Sequence, residues 1–325
     1  MRNGRLLLTA GVTALAPAIW GSTYLVTTEL LPPDRPLLAA TVRALPAGLI
    51  LLAFVRTMPV GIWIWRSLVL GTLNIGAFNF LLFVAAYRLP GGVAAIIMTA
   101  QPMLVLVLAA LVIGDKIRFV HVLACVLGVA GVMLLVFKAA NALDPVGVAA
   151  AAAGAASMAA GITMTKKWGK PAGVGLLPFT GWQLVAGGLV LLPFTVTLEG
   201  VPSSISWPNV IGFVYLMSFG AVISYAIWFR GIERLPALAV SVLALGSPIV
   251  ATLLGFVFRD ETLSVLQLVG VVVTIGAALL AQPRPPKAAK PGPDADPEPD
   301  DDPGPDEDTG QARSTQTSTV EGRRA

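Results

Sequence analysis

Ten apolar stretches of about 20 residues, separated by short polar or basic loops, fill the first 281 residues of this chain. A bilayer core is about 30 Å thick and a helix rises about 1.5 Å per residue, so a stretch of that length can cross it. The spans expected are residues 6–30, 36–55, 66–87, 91–113, 119–138, 145–165, 173–197, 208–229, 236–258 and 263–281. Apolar residues occur all round most of them, unlike helices that lay one face on a soluble core. Composition matters here because 12% of the residues are charged, against about 25% in an ordinary soluble domain. Of the 18 acids, 10 lie in the last 44 residues, leaving eight for the rest. The apolar run from Leu6 to Leu31 follows Arg2 and Arg5, but it is longer than the roughly 7–15 residues of a signal-peptide core. It reads as the first span.

Basic residues set the orientation, because lysine and arginine concentrate in cytoplasmic loops. With the N-terminus inside, 14 of those near the spans fall inside (Arg56, Arg66, Lys166, Lys167 and Arg230 among them) and 4 outside, namely Arg35, Arg88, Lys138 and Arg259. Both termini are therefore expected in the cytoplasm. From residue 282 the chain is rich in Pro, Asp and Glu; it holds too few apolar residues to offset ordering entropy, and a disordered tail over 282–325 is expected.

The chain also resembles itself. At an offset of 146, Phe83, Arg88, Leu89, Pro90 and Pro102 face Phe229, Arg234, Leu235, Pro236 and Pro248, and Asp115 faces Glu261. At 139, Leu45, Ala47, Gly48 and Leu52 face Leu184, Ala186, Gly187 and Leu191. The expectation is an all-α membrane protein of ten transmembrane helices, arranged as two inverted five-helix repeats over 6–138 and 145–281. Five spans per copy turn the second copy over in the membrane, and inverted repeats of this kind let one bundle open to either side.

The Ala-Ile-Trp-Gly-Ser-Thr stretch at 18–23, Arg43 in the second span, Arg-Leu-Pro at 88–90, Gln-Pro at 101–102, Gly-Asp at 114–115 and Ser-Pro at 247–248 resemble the EamA family of the drug/metabolite transporter superfamily. The resemblance covers residues 6–281; the usual Gly-Glu after the ninth span stands here as Asp260 and Glu261. It implies a ten-helix fold with a central cavity and export of amino acids, metabolites or drugs across the inner membrane.

Candidate cavity residues are polar or aromatic groups at membrane depth. Arg43 lies seven residues past Pro36, deep enough that its charge costs at least about 2.5 kcal/mol unless it is met. It reads either as a carboxylate-binding or gating base paired with Glu29, or as an anchor whose head reaches the interface, and the competing reading of Glu29 is a charge in the outer headgroups. Pro102 and Pro248 interrupt the backbone ladder in equivalent spans, beside Gln101 and Ser247, which mark those spans as cavity lining. Trp20 and Tyr24 share a helix face. Asn74, Asn79, Trp182, Gln183, Tyr225 and Trp228 bring amides and rings that suit a planar or apolar solute, and packing between helices is the competing reading of each.

No cofactor is expected. His121 and Cys125 are the sole His and Cys, too few for a metal site. The Ala/Gly run at 148–161 permits close helix packing, and no phosphate-binding loop is present for ATP coupling. The core lacks the paired carboxylates of a membrane-embedded enzyme, and a passive scaffold has no need of an inverted repeat. The partners expected are a small-molecule substrate and the lipid bilayer, with no nucleic acid, because the bases are scattered between spans. Import or lipid translocation, coupling to protons, and assembly as a homodimer stay open.

Overall fold

The computed structural model describes residues 2–114, 119–137, 143–200, 202–235, 243–244, 246–260 and 264–280. Among the described residues every regular element is helical. The helices are α1 (Arg2–Leu30), α2 (Pro36–Val55), α3 (Ile62–Arg88), α4 (Gly91–Ile113), α5 (Phe119–Phe137), α6 (Pro145–Trp168), α7 (Leu176–Glu199), α8 (Trp207–Met217, continued through Ser224–Arg234), α9 (Gly246–Arg259) and α10 (Val265–Leu280). Six of them are long and apolar enough to cross a membrane: α2, α3, α4, α6, α7, and α8 over Trp207–Gly231. The third span begins four residues earlier than expected, at Ile62, after Gly61 turns the chain at φ +57°. Asp115, Pro236, Glu261 and the tail lie outside the described residues, as do the side chains of His121 and Cys125.

Local chemistry explains the ends. Pro36 opens α2, where its fixed φ suits the first turn and its missing N–H costs nothing. The next two amides, of Leu37 and Leu38, donate to the Glu199 carboxylate at 2.7 and 2.8 Å. Asp144 caps α6 by accepting from the amides of Val146 and Gly147, and Ser206 with Asn209 forms a capping box on α8. Gly114 closes α4 at φ +81°, a backbone region that favours glycine.

Four of the helices carry an interruption of the α pattern at which carbonyls change partner, among them α7, which ends in a π turn at Thr195–Glu199. In α4 the amides of Thr99 and Ala100 bond three residues back, just before Pro102, which has no N–H to offer Met98. In α3 and α8 a π turn is inserted, at Thr72–Ala77 and Ser218–Ile223 respectively. Both ends of these two turns differ by 146 residues, the offset that aligns Arg88 with Arg234.

Helix contacts exchange in the same sense. α2 packs on α7, α4 on α9 and α5 on α10; α1 lies against α8 and α9, while α6 lies against α3 and α4. The α2–α7 crossing is close because it is built on glycine: a Cβ on Gly48 would stand 2.7 Å from the Val185 nitrogen. Phe54, Leu111, Leu189, Phe256 and Val272 face outward, exposed. A soluble monomer rarely leaves apolar surface of that extent uncovered, and for a membrane protein it is the surface that meets lipid.

Candidate solute site

The most constrained charge in the fold is Arg43. It sits in the middle of α2 and is 5% exposed, between α1, α3 and α8. Its Nη2 donates to the Gly220 carbonyl at 3.1 Å, inside the α8 π turn. A π turn leaves carbonyls without their usual helical partner, so α8 offers an acceptor where an ordinary helix would have none to spare. The neighbouring Phe219 carbonyl takes the Ser224 hydroxyl at 2.7 Å. The guanidinium carbon stands 6.0 Å from the centre of the Phe83 ring, at the limit of a cation–π contact. The second terminal nitrogen, Nη1, is buried with no hydrogen-bond partner.

Aromatic rings close round this charge. The phenols of Tyr24, Tyr215 and Tyr225 lie within electrostatic reach of the guanidinium. Trp20 stands 5.8 Å from Tyr225 and 5.3 Å from Trp228, both tilted or edge-on, and Tyr225 stacks on Phe229 at 5.9 Å. Ser22 and Tyr215 share a hydrogen bond of 2.6 Å between α1 and α8. Trp20 Nε1 and Thr23 Oγ1 are buried and unpartnered. Trp20, Tyr24, Arg43 and Tyr225, named from the sequence, thus come together, and Tyr215, Ser22 and the Gly220 carbonyl join them. Ser22 stood in the sequence only as part of the 18–23 stretch, and Tyr215 and the Gly220 carbonyl carried no signal, since a π turn has none and a tyrosine–serine pair across 193 residues leaves no local trace.

A second polar crossing joins α3 to α7. Asn74, third residue of the α3 π turn, donates to Gln183 of α7 at 2.8 Å, and Gln183 donates to the Phe179 carbonyl at 3.3 Å. The Ser157 hydroxyl of α6 donates to the Leu73 carbonyl at 2.8 Å. Trp182 points elsewhere: its indole donates to the Thr57 carbonyl at 2.7 Å and its ring meets Phe179, a packing role between α2 and α7. Asn79 is buried at 2%.

Gln101 and Pro102, both half-buried, follow the break in α4, about one turn past Met98, whose sulfur accepts from Tyr24 at 3.6 Å. Ser247 is half-buried and Pro248 buried; the Ser247 carbonyl would stand 2.5 Å from a Cβ on Gly21, so α9 touches α1 beside Trp20.

Glu29 requires a correction. It does not pair with Arg43: its carboxylate meets Arg259 of α9 at 2.6 Å, at the other end of α1 from Arg2, where both groups remain half exposed. Solvated charges at a helix end pair at little desolvation cost, whereas Glu29 would have to enter the bundle to reach Arg43. Arg88 and Asp144 form a similar pair at 2.7 Å, and the Arg88 hydrogen bond holds the Asp144 carboxyl below the usual carboxylate range. A groove lined by Leu25, Val26, Glu29, Leu30 and Phe258 adjoins the Glu29–Arg259 pair, but it is apolar and away from the buried polar groups. Among the described residues no three His, Cys, Asp or Glu side chains converge as a metal would require.

The model of the EamA-like transporter family matches the chain twice, over residues 7–137 and 145–281. The chain belongs to the EamA-like transporter family. It is accordingly a multi-pass membrane transporter of the drug/metabolite superfamily, and not an enzyme. It is 47% identical to Protein PecM of Dickeya dadantii over 267 residues, 82% of this chain and 90% of that one. It is 26% identical to a probable amino-acid metabolite efflux pump of Salmonella typhimurium, over 80% of this chain and 89% of that one. A crystal structure 21% identical in sequence shares the fold with a TM-score of 0.58, over 84% of this chain and 96% of that one.

Proposed function

We propose that the protein exports small solutes from the cytoplasm by alternating access, using ten spanning helices in two oppositely oriented repeats, 6–138 and 145–281. Both termini face the cytoplasm, the membrane is the inner one, and the solute site is the Arg43 cluster between α1, α2 and α8. The observation that carries this reading is the recurrence of the π turn and its following helix at the sequence offset of 146. A distortion repeated in two halves marks a feature of one ancestral bundle, and two copies with an odd number of spans present the same bundle to opposite sides. The exchange of helix contacts between halves supports the same symmetry. Export is supported by the efflux relative, and the bias of basic residues to one side of the spans supports the orientation of the termini.

The test is accumulation of labelled amino acids and small aromatic metabolites in inverted vesicles, with and without a pH gradient. Export predicts uptake into inverted vesicles that depends on the protein, and stimulation by the gradient identifies protons as the driving ion. Uptake confined to right-side-out vesicles overturns the direction, and uptake in neither orientation overturns transport of these solutes.

A further inference from the structure

The two halves cross at matching places with different chemistry. At the third residue of the α3 π turn, Asn74 meets Gln183 of α7, amide to amide at 2.8 Å. At the third residue of the α8 π turn, the Gly220 carbonyl meets Arg43 of α2 at 3.1 Å. The first crossing is neutral, and the atom it leaves unpartnered is the Asn74 amide oxygen. The second holds a full positive charge at 5% exposure, with Nη1 buried and unbonded. Among the described residues the titratable groups that act on Arg43 are three tyrosines, and Glu29 is taken by Arg259.

Of all buried polar groups an unpaired charge is the most costly, and carbonyls or phenols solvate it without neutralising it. A neutral amide pair bridges the equivalent crossing, so packing alone does not require a guanidinium here. A cation kept dry, with one nitrogen committed to fixing its position and another free, is arranged for a counter-charge that comes and goes.

Resting on the transport reading above, we infer that Arg43 is the anion-binding point of the solute site, and that the solute is a small aromatic or planar monoanion of the carboxylate class. Its charged group seats on Nη1, while its ring lies against the faces of Trp20 and Tyr225. Trp20 Nε1 and Thr23 Oγ1, buried without partners on the helix that also carries Tyr24, supply further donors. Gly220 holds the other nitrogen, which orients the guanidinium before the solute arrives.

The experiment uses the full-length protein purified in detergent, with thermal unfolding followed by intrinsic fluorescence at pH 7 and constant ionic strength. The probes are phenylacetate and its neutral isostere phenylacetamide. Wild type should be stabilised by phenylacetate at concentrations roughly tenfold or more below those the amide needs, the range of a hydrogen bond to a charged group. Arg43→Lys should keep the preference with weaker binding, since a lysine carries the charge without the guanidinium fork. Arg43→Gln should lose it. Equal stabilisation by both probes, none by either, or a preference that survives Arg43→Gln overturns the inference. If Arg43→Gln does not fold, unchanged phenylacetate affinity in Arg43→Lys places the anion elsewhere and overturns it equally. Equal binding of both probes in a protein that still transports in vesicles removes the anion preference and leaves the transport reading standing; loss of transport itself is read in the vesicles.

Discussion

Gly187→Ala puts one methyl group where α7 crosses α3. The added carbon would stand 2.5 Å from the Gly71 carbonyl oxygen, 2.8 Å from Ile75 Cβ and 2.9 Å from the Gly76 nitrogen. Two of these are backbone atoms that no rotamer change can move. Ordinary contact begins at 3.4 Å, so the helices must part by about 0.9 Å. Parting also loosens the reciprocal approach, in which Gly71 lies against the Gln183 carbonyl and Ala186. Forcing extra volume into a packed interior costs about 1–3 kcal/mol. Greater helix propensity of alanine offsets at most about 1 kcal/mol of that. Net destabilisation of about 1–2 kcal/mol should lower the unfolding midpoint in detergent by roughly 2–8 °C. Gly11→Ala is the control, because a Cβ there meets nothing within 4 Å, and its midpoint should hold or rise. Equal midpoints for Gly187→Ala and wild type, or an equal loss in Gly11→Ala, would refute the claim that glycine is there for close helix approach.

Three further outcomes follow from the ends of the helices and from the loops. Glu199→Gln removes the carboxylate that accepts the Leu37 and Leu38 amides, and should cost about 0.5–2 kcal/mol as helix caps do, read as a lower unfolding midpoint. Because the Asp144 pKa is held below its unfolded value by Arg88, the pair stabilises the fold at neutral pH and loses that effect as pH falls through the folded pKa. Arg88→Ala should therefore be less stable than wild type at pH 7, and the gap should close below about pH 4; a gap independent of pH argues against the pair. A cytoplasm-dependent fluorescent reporter fused after Ala325 should be active, and activity restricted to an exported reporter at the same point contradicts the expected orientation.

Helix positions were legible because an apolar run near 20 residues has few other uses, and the starts at Pro36 and Pro145 are marked by residues that suit a first turn. Arg-Leu-Pro at 88–90 and residues 234–236 pointed to the duplication, yet the π turns beside it were not legible. Thr72–Ala77 and Ser218–Ile223 read TLNIGA and SFGAVI, which share no pattern; the turn is set by helix packing rather than by local propensity. Arg43 stood out because its charge is expensive at depth. Its partner did not, because a backbone carbonyl 177 residues away has no side-chain signature. Glu29 was drawn toward Arg43 by proximity in sequence, whereas Arg259, 230 residues distant, shares its solvated end of the helix. Trp182 carried two readings in the sequence, cavity or packing between helices, and its indole hydrogen bond to the Thr57 carbonyl had no local trace by which to choose between them.

Sided labelling at Ser247 tests alternating access most directly. Ser247 is half-buried on α9 where that helix touches Gly21 of α1, beside Trp20. In a Cys125→Ser background, Ser247→Cys should react with a membrane-impermeant maleimide in inverted vesicles and also in right-side-out vesicles, and a transported solute should slow both reactions. Reaction from one face only, unchanged by solute while transport continues, would contradict a site that opens in turn to each side.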